Sequence, residues 1–279
     1  MSMATSVGTT DKAFDYISKM ILDASAIVLD ANKAYLVESR LAPILRAHDF
    51  STLADLVEEL KKVSARALRQ EVIEAMTTNE TSFFRDIHPF EALKKQVLPD
   101  ILKKRSSERT LRIWSNACSS GQEPYTIAMI LRENFPELAG WKVKLIGSDL
   151  DTKILGKARS GIFNQTEVNR GLPMQLLLKY FERDGLHWRI KEEIRSMVEF
   201  KQVNLVEPFP VSMGKLDIIF LRNVLIYFSV EMKQEILSKA RRMLHNDGYL
   251  FLGGGESVLN LAVDFEREQI GKANCYRPV

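Results

Sequence analysis

The chain has 279 residues, 46% of them hydrophobic and 27% charged, which fits a globular protein with one large domain or two smaller ones. Its 39 Lys and Arg against 36 Asp and Glu leave a net charge of +3, too weak a field for wholesale nucleic-acid or membrane binding. Its only cysteines, Cys118 and Cys275, give neither a metal-ligand spacing nor a disulfide framework, so no metal is expected and a reducing compartment suits the chain.

The polar start MSMATSVGTTDK lacks the charged region and apolar stretch of a signal peptide, and no run of about eighteen apolar residues follows, so a cytoplasmic protein is expected. The first 76 residues read as helical. In TDKAFDYISKMILDASAIVL the residues Phe14, Ile17, Ile21 and Leu22 fall at helical spacing; STLADLVEEL opens on a Ser cap, and ALRQEVIEAM runs to Met76. TTNETS then breaks the apolar rhythm, so the domain boundary is placed there: 1–76 helical, 77–279 the rest. From Leu111 the texture changes. LRIWS, VKLIGS, LDIIFL and YLFLGG have strand character and are separated by helical stretches such as EPYTIAMILREN and EMKQEILSKARRML, which predicts a parallel α/β sheet. HWRIK and EIRSMVEFKQV stand close together with no helix expected between them, so an inserted antiparallel hairpin is predicted at about 180–202. There is no internal repeat and no low-complexity segment.

In such sheets ligands bind beyond the carboxyl ends of the strands. The residues there are NACSSGQE after the first strand, SDLD after the second, Asn204 and Leu205 after the hairpin, and Arg222 and Asn223 after LDIIFL. Asp149 ends the second strand, where dinucleotide folds place a carboxylate against ribose hydroxyls. As a lone residue it serves equally as a cap for a helix near Asp151, but four coincident strand ends favour the ribose. The first loop has one glycine, Gly121, instead of G-x-G-x-x-G, and it carries Glu123, which repels phosphate. A nucleoside without phosphates and with positive charge meets both conditions, and S-adenosylmethionine is such a molecule. Cys118 has no neighbouring base, and His48, His88, His187 and His245 lie in other segments, which speaks against a cysteine hydrolase. GGGES at 253–257 reads as a strand-to-loop turn more than as a phosphate cradle.

The segments TTNETSFFRD, IWSNACSSGQEPYTIAM, GSDLD, FLRNVLIYF and LGGGES, with the NL pair at 204–205, resemble in order and spacing the chemotaxis receptor methyltransferase family known as CheR. The likeness covers nearly the whole chain. It implies a Rossmann-like class I S-adenosylmethionine-dependent methyltransferase domain with a small inserted antiparallel β-subdomain, preceded by an all-helical N-terminal domain that docks receptors. The implied reaction moves the methyl group of S-adenosylmethionine onto glutamate side chains of the receptors' cytoplasmic helical bundle, leaving glutamate methyl esters and S-adenosylhomocysteine. A glutamate carboxylate is already an anion at neutral pH, so the lack of a His-centred base agrees with it. Carried over by motif, Arg85 and Tyr227 are the expected catalytic residues, and Asn79, Thr81, Arg85, Glu123, Asp149, Asn204, Leu205, Arg222 and Asn223 the cofactor contacts. Read without the motif, Arg85 is a partner for Asp86 or another surface acid and Tyr227 a core aromatic. Lys33, Arg40 and Arg46 match basic residues that face the receptor, although Pro43 puts continuous helix geometry in question. In some members the β-subdomain captures the receptor's C-terminal tail as an extra strand; the ERDG turn has a single glycine and the segment is shorter, so a tail tether is not expected here. The alternatives are a methyltransferase with another acceptor, such as RNA, and a non-catalytic S-adenosylmethionine-binding signalling module.

Overall fold

The computed structural model describes residues 4–261 and 263–279, so part of the polar start, Met1–Met3, lies outside the described residues. Two compact units are present: residues 1–78 with 227–232, and residues 79–226 with 233–279.

The first unit is built from α1 (Ala4–Ser25), α2 (Ala34–Ala47), α3 (Leu53–Leu60) and α4 (Arg66–Ala75). Ala13, Ile17 and Ile21, four residues apart, form one line on α1 and are buried with Val37, Leu41, Leu56 and Val72. Leu22 lies about 100° round the helix from Ile21 and is exposed, unlike the sequence expectation. The cap of α3 is Thr52 and not Ser51: the Thr52 hydroxyl accepts from Asp55 N at 3.2 Å while the Asp55 carboxylate accepts from Thr52 N at 2.8 Å. Helix α2 runs through Pro43 without a break, which settles the question that residue raised.

The second unit opens with α5 (His88–Ala92), a π-helical turn (Leu93–Val97) and α6 (Leu98–Lys104). There follow β1 (Thr110–Asn116), α7 (Gln122–Asn134), β2 (Lys142–Asp149) and α8 (Thr152–Ser160). A smaller group comprises β3 (Ile162–Phe163), α9 (Gln165–Asn169), α10 (Met174–Tyr180), β4 (Phe181–Asp184) and β5 (His187–Ile190). The chain then runs through α11 (Glu192–Arg195), β6 (Val198–Gln202), β7 (Leu216–Leu221), α12 (Val230–Met243), β8 (Leu244–Leu252), β9 (Phe265–Glu268) and β10 (Cys275–Pro278). The main sheet has the order β6-β2-β1-β7-β8-β10-β9. Strands β6 to β8 in that order are parallel, whereas β10 is antiparallel to both neighbours. The sheet is therefore mixed, and its last hairpin escaped the sequence pattern because FEREQ and NCYRP lack long apolar runs.

The predicted hairpin is also rearranged. HWRI pairs with the preceding FERD, and with Ile162–Phe163 on its other side, to make a three-stranded antiparallel sheet. Lys191 is followed by the one-turn helix α11, and VEFKQ leaves to become the parallel edge strand beside β2. The physical reason lies in the turn: Gly185 adopts a φ of +60° directly after Asp184 and closes FERD onto HWRI, while the acidic pair Glu192–Glu193 starts a helix where the expected turn was placed.

The amino end of the sheet is pinned by a buried ion cluster. Arg105 Nε donates to Asp217 Oδ1 at 2.8 Å, and its Nη atoms donate to Asp247 at 3.0 and 2.6 Å. The Asp247 and Asp217 carboxylates raise the Arg105 pKa, and the Arg105 guanidinium in turn lowers that of Asp247. Among the described residues, no helix is long and apolar enough to cross a membrane.

Candidate active site

Strand order reverses between β1 and β7, and the carboxyl ends of β1, β2, β6 and β7 converge on the crevice where such sheets bind ligands. The loop after β1 is wound tightly: Ala117, Ser119 and Gly121 have φ of +50°, +52° and +93°. At Gly121 a side chain would also meet Ala158 and Tyr125 at 3.1 Å, so only glycine fits. The strain at the other two residues is held by hydrogen bonds. Ala117 N donates to Asn116 Oδ1 at 2.6 Å, Cys118 N to Ser148 O at 2.8 Å, and Ser119 N to Asp149 Oδ2 at 2.8 Å.

Asp149 sits where ribose hydroxyls are expected. Its other oxygen accepts from Asp151 N at 3.1 Å, and the helix cap is supplied instead by Asp151, whose carboxylate accepts from Ile154 N at 3.0 Å. The capping reading of Asp149 is thereby removed. Burial raises its pKa to about 6; its backbone hydrogen bonds act in the opposite direction, and the Asp151 charge adds to the rise. Asn79 Nδ2 donates to Asp151 Oδ2 at 2.8 Å, and Ser119 Oγ donates to Asn79 O at 2.8 Å, so the NETS segment is tied to both strand ends.

On the other side, Arg222 follows β7 with its side chain 1% exposed. Nη1 donates to Glu123 Oε2 at 2.7 Å, and Nη2 donates to Arg85 O at 3.0 Å and Asp86 Oδ2 at 2.8 Å. Glu123 also accepts from Ser115 Oγ at 2.8 Å, so both of its oxygens are engaged by the protein and its charge is matched. Phe84 and Asp86 have φ of +49° and +61°, and Phe84 N donates to Thr126 Oγ1 at 3.2 Å, which fixes the Arg85 turn against α7. Arg85 itself is half-buried and donates from Nη1 to Glu80 O at 2.8 Å. Thr81 lies half-buried in the same segment.

Asn204 and Leu205 follow β6, with Leu205 buried and Asn204 Oδ1 accepting from Val206 N at 3.3 Å. Asn223 follows Arg222 with a φ of +59°. Its N–H is held by a residue that sequence reasoning missed: the Glu256 carboxylate accepts from Asn223, Val224, Leu225 and Gly253 N at 2.7 to 2.8 Å. GGGES is thus a turn that returns an acid to the crevice, and a Cβ at Gly253 would lie 2.7 Å from both Asn223 Nδ2 and Glu256 Oε2.

All four strand-end residue sets belong to the second unit, whereas Tyr227 and the basic helix belong to the first. Tyr227 is half-buried and belongs to the first unit, where its carbonyl accepts from Val28 N at 3.4 Å. Lys33 lies just before α2, 3.5 Å from Asp30, and Arg46 is exposed near the end of α2. Arg40 turns instead to the end of α4, donating to Met76 O at 2.7 Å, Thr77 O at 2.9 Å and Thr78 Oγ1 at 3.1 Å. A cation there satisfies carbonyls that the helix leaves unpaired.

Two buried donors at this end of the sheet have no protein partner, Asn116 Nδ2 and Arg222 Nε. Buried donors are rarely left unpaired, so these two nitrogens can give hydrogen bonds to a ligand in the crevice. A nucleoside with ribose hydroxyls and no phosphate suits these groups. Cys118 is not a nucleophile: burial pushes its thiol pKa well above the ordinary value, with the Asp149 and Glu123 charges adding to the rise. Among the described residues, no cluster of His, Cys, Asp and Glu could hold a metal ion.

The family model described as "CheR methyltransferase, SAM binding domain" matches residues 79–273, and that described as "CheR methyltransferase, all-alpha domain" matches residues 12–77. The chain is 40% identical over 269 residues to chemotaxis protein methyltransferase 1 of Pseudomonas aeruginosa, covering 95% of this chain and 97% of the relative. It is 38% identical to chemotaxis protein methyltransferase Cher2 of Pseudomonas putida, covering 98% and 99%. A chemotaxis protein methyltransferase of Vibrio parahaemolyticus is 36% identical over the same shares of the two chains. The helical unit followed by a mixed sheet with a nucleoside crevice, and these matches along nearly its whole length, place the chain in the CheR methyltransferase family, with S-adenosylmethionine as its cofactor.

Proposed function

We propose that this protein is a cytoplasmic protein-glutamate O-methyltransferase that esterifies glutamate side chains on the cytoplasmic helical bundle of chemoreceptors, leaving S-adenosylhomocysteine. The observation that carries the reading is the Arg222 clamp: one buried guanidinium joins Glu123 to the carbonyl of Arg85, so the turn bearing Arg85 is fixed to the cofactor strands. When bound, S-adenosylmethionine supplies a methyl group activated by a positively charged sulfur. Asp149 accepts from ribose hydroxyls, and Asn79, Thr81, Glu123, Asn204, Leu205, Arg222 and Asn223 complete the cofactor site. Arg85 orients the incoming carboxylate with a planar fork that a lysine could not supply, and Tyr227 is the second residue that the family motif assigns to methyl transfer. Proton removal is not required, because the acceptor is already ionised near neutral pH. The residues have only to hold the acceptor oxygen in line with the methyl group and to exclude water.

The test is to incubate the protein with radiolabelled S-adenosylmethionine and receptor-bearing membranes, then to measure volatile methanol released by base. Methanol is expected from the parent, with strongly reduced release from Arg85→Ala and Tyr227→Phe samples whose melting temperatures match it. Label that stays bound after base treatment would point to another acceptor.

Asp149 makes the cofactor reading quantitative. Asp149→Ala is expected to weaken S-adenosylmethionine binding by about 1.5 to 3 kcal/mol through loss of hydrogen bonds to a carboxylate. Ligand hydroxyls favour the ionised form, whereas the free protein takes up a proton at Asp149 near pH 6. Affinity should therefore be flat above about pH 7 and fall by up to about tenfold per pH unit below 6. Asp149→Asn should abolish that slope. Calorimetric titrations between pH 5 and 8 check both; a slope that survives in Asp149→Asn would assign it to another group.

Docking is assigned to the helical unit, with Lys33 and Arg46 meeting acidic receptor helices and Arg40 maintaining the end of α4. A C-terminal tail tether is not required. Supporting this, the edge strand β4 is four residues long and three of them, Glu182, Arg183 and Asp184, are charged, a combination that discourages added strands. Receptors trimmed of their final residues should be methylated at the parent rate, and tail peptides should not bind at micromolar concentration. Activity that collapses on trimming would overturn this.

A further inference from the structure

We propose that Lys239, on α12, is a positioning residue for the cofactor, fastening the loop after β6 that carries Asn204 and Leu205. Lys239 is 7% exposed, unusual for a lysine in the body of a helix. Its Nζ donates to Leu205 O at 2.6 Å and to Glu207 O at 3.1 Å, and lies 3.3 Å from Glu235 Oε1. Two of its donors thus meet main-chain carbonyls of one loop, and the Glu235 carboxylate balances its charge. The same ammonium lies 5.2 Å from the centre of the Phe209 ring, at the far end of that loop.

Phe209 in turn packs edge-on against Trp114 of β1 at 4.9 Å, and Trp114 Nε1 donates to Ser148 Oγ of β2 at 2.8 Å. Lys239 therefore holds residues 205–209 from below, while the aromatic pair ties them to the strands whose ends form the crevice. A leucine or methionine would fill the same space without the cost of burying a charge. What the ammonium adds is a fixed direction for two carbonyls, and hence a single conformation for the segment next to Asn204. The side chain acts through the loop and does not need to reach the ligand itself.

This role rests on the proposed reading of Asn204 and Leu205 as cofactor contacts, so the experiment includes a variant that tests that reading alone. S-adenosylhomocysteine is titrated calorimetrically into the parent, Lys239→Met, Lys239→Arg, Lys239→Gln and Asn204→Ala, with melting temperatures recorded for each. Lys239→Met is expected to bind about tenfold more weakly, the consequence of losing one or two charge-assisted hydrogen bonds that hold the loop. Lys239→Arg, which keeps the charge and the donors, should recover most of that loss. Hydrogen exchange should accelerate at residues 204–209 in Lys239→Met and not in β1 or β2. If Lys239→Met does not fold, Lys239→Gln, which retains a donor without the charge, decides the matter with an expected weakening of about threefold or more. Parent-like affinity in the folded neutral variant, alongside weakened binding by Asn204→Ala, would overturn the role of Lys239. Parent-like affinity in Asn204→Ala would instead remove the loop from the cofactor site and the basis of the proposal with it.

Discussion

Glu256→Ala is expected to lower stability by about 4 kcal/mol, because four main-chain N–H groups lose their acceptor and the two in buried residues, Leu225 and Gly253, each cost about 1 to 3 kcal/mol when left unpaired. The donors come from two places: Asn223, Val224 and Leu225 after β7, and Gly253 after β8. Neither segment can rearrange cheaply. Asn223 is already in the left-handed region, and Gly253 lies so close to the Asn223 side chain that the two turns share one space. For a protein of this size the loss corresponds to a fall in melting temperature of about 10 °C. Glu256→Gln should recover only part of it, since the amide keeps one acceptor oxygen but turns an NH₂ group toward two donors. Cofactor binding should fall with stability, as Asn223 loses the anchor of its own N–H. Thermal melts of the two variants check the claim; a melting temperature within about 2 °C of the parent in Glu256→Ala would show that water replaces the carboxylate.

The same residue shows where reading the sequence stops. The ends of the parallel strands were legible because NACSSGQE and SDLD place small and polar residues directly after apolar runs, and Asp149 follows from that pattern alone. Glu256 carries no such mark. Its significance depends on three N–H groups about thirty residues earlier, which no local pattern reports. Arg40 is a second example: helical spacing puts it on a stripe with Lys33, yet its guanidinium closes the end of α4, some thirty-six residues on. HWRIK failed differently. VEFKQ alternates apolar and polar residues while FERD has a single apolar residue, yet HWRI pairs with FERD, because Gly185 closes that turn and β2 offers an edge to VEFKQ. Local chemistry thus located the strand ends, while the groups that hold the loops beyond them in shape had to be seen in three dimensions.

Arg222→Met is expected to cost about 3 to 5 kcal/mol, the usual penalty for removing one partner of a buried ion pair. The methionine fills most of the volume beside Phe90, whose ring lies 5.6 Å from the guanidinium, so the loss is chiefly electrostatic. Glu123, its side chain 12% exposed, is left with Ser115 Oγ as its remaining partner. The double variant Arg222→Met/Glu123→Gln strands no buried charge, since Asp86 is exposed to water, and should regain more than half of the stability, giving a large coupling energy in a double-mutant cycle. Methyl transfer should behave differently. Both variants lack the donor that holds Arg85 O and Asp86, so the turn with φ of +49° and +61° relaxes in each, and activity should stay low when stability returns. Stability comes from urea titrations and activity from base-released methanol on the same samples. Equal stability of the single and double variants would show that Glu123 does not need Arg222, and activity that recovers with the fold would show that the clamp on the Arg85 turn is not needed for transfer.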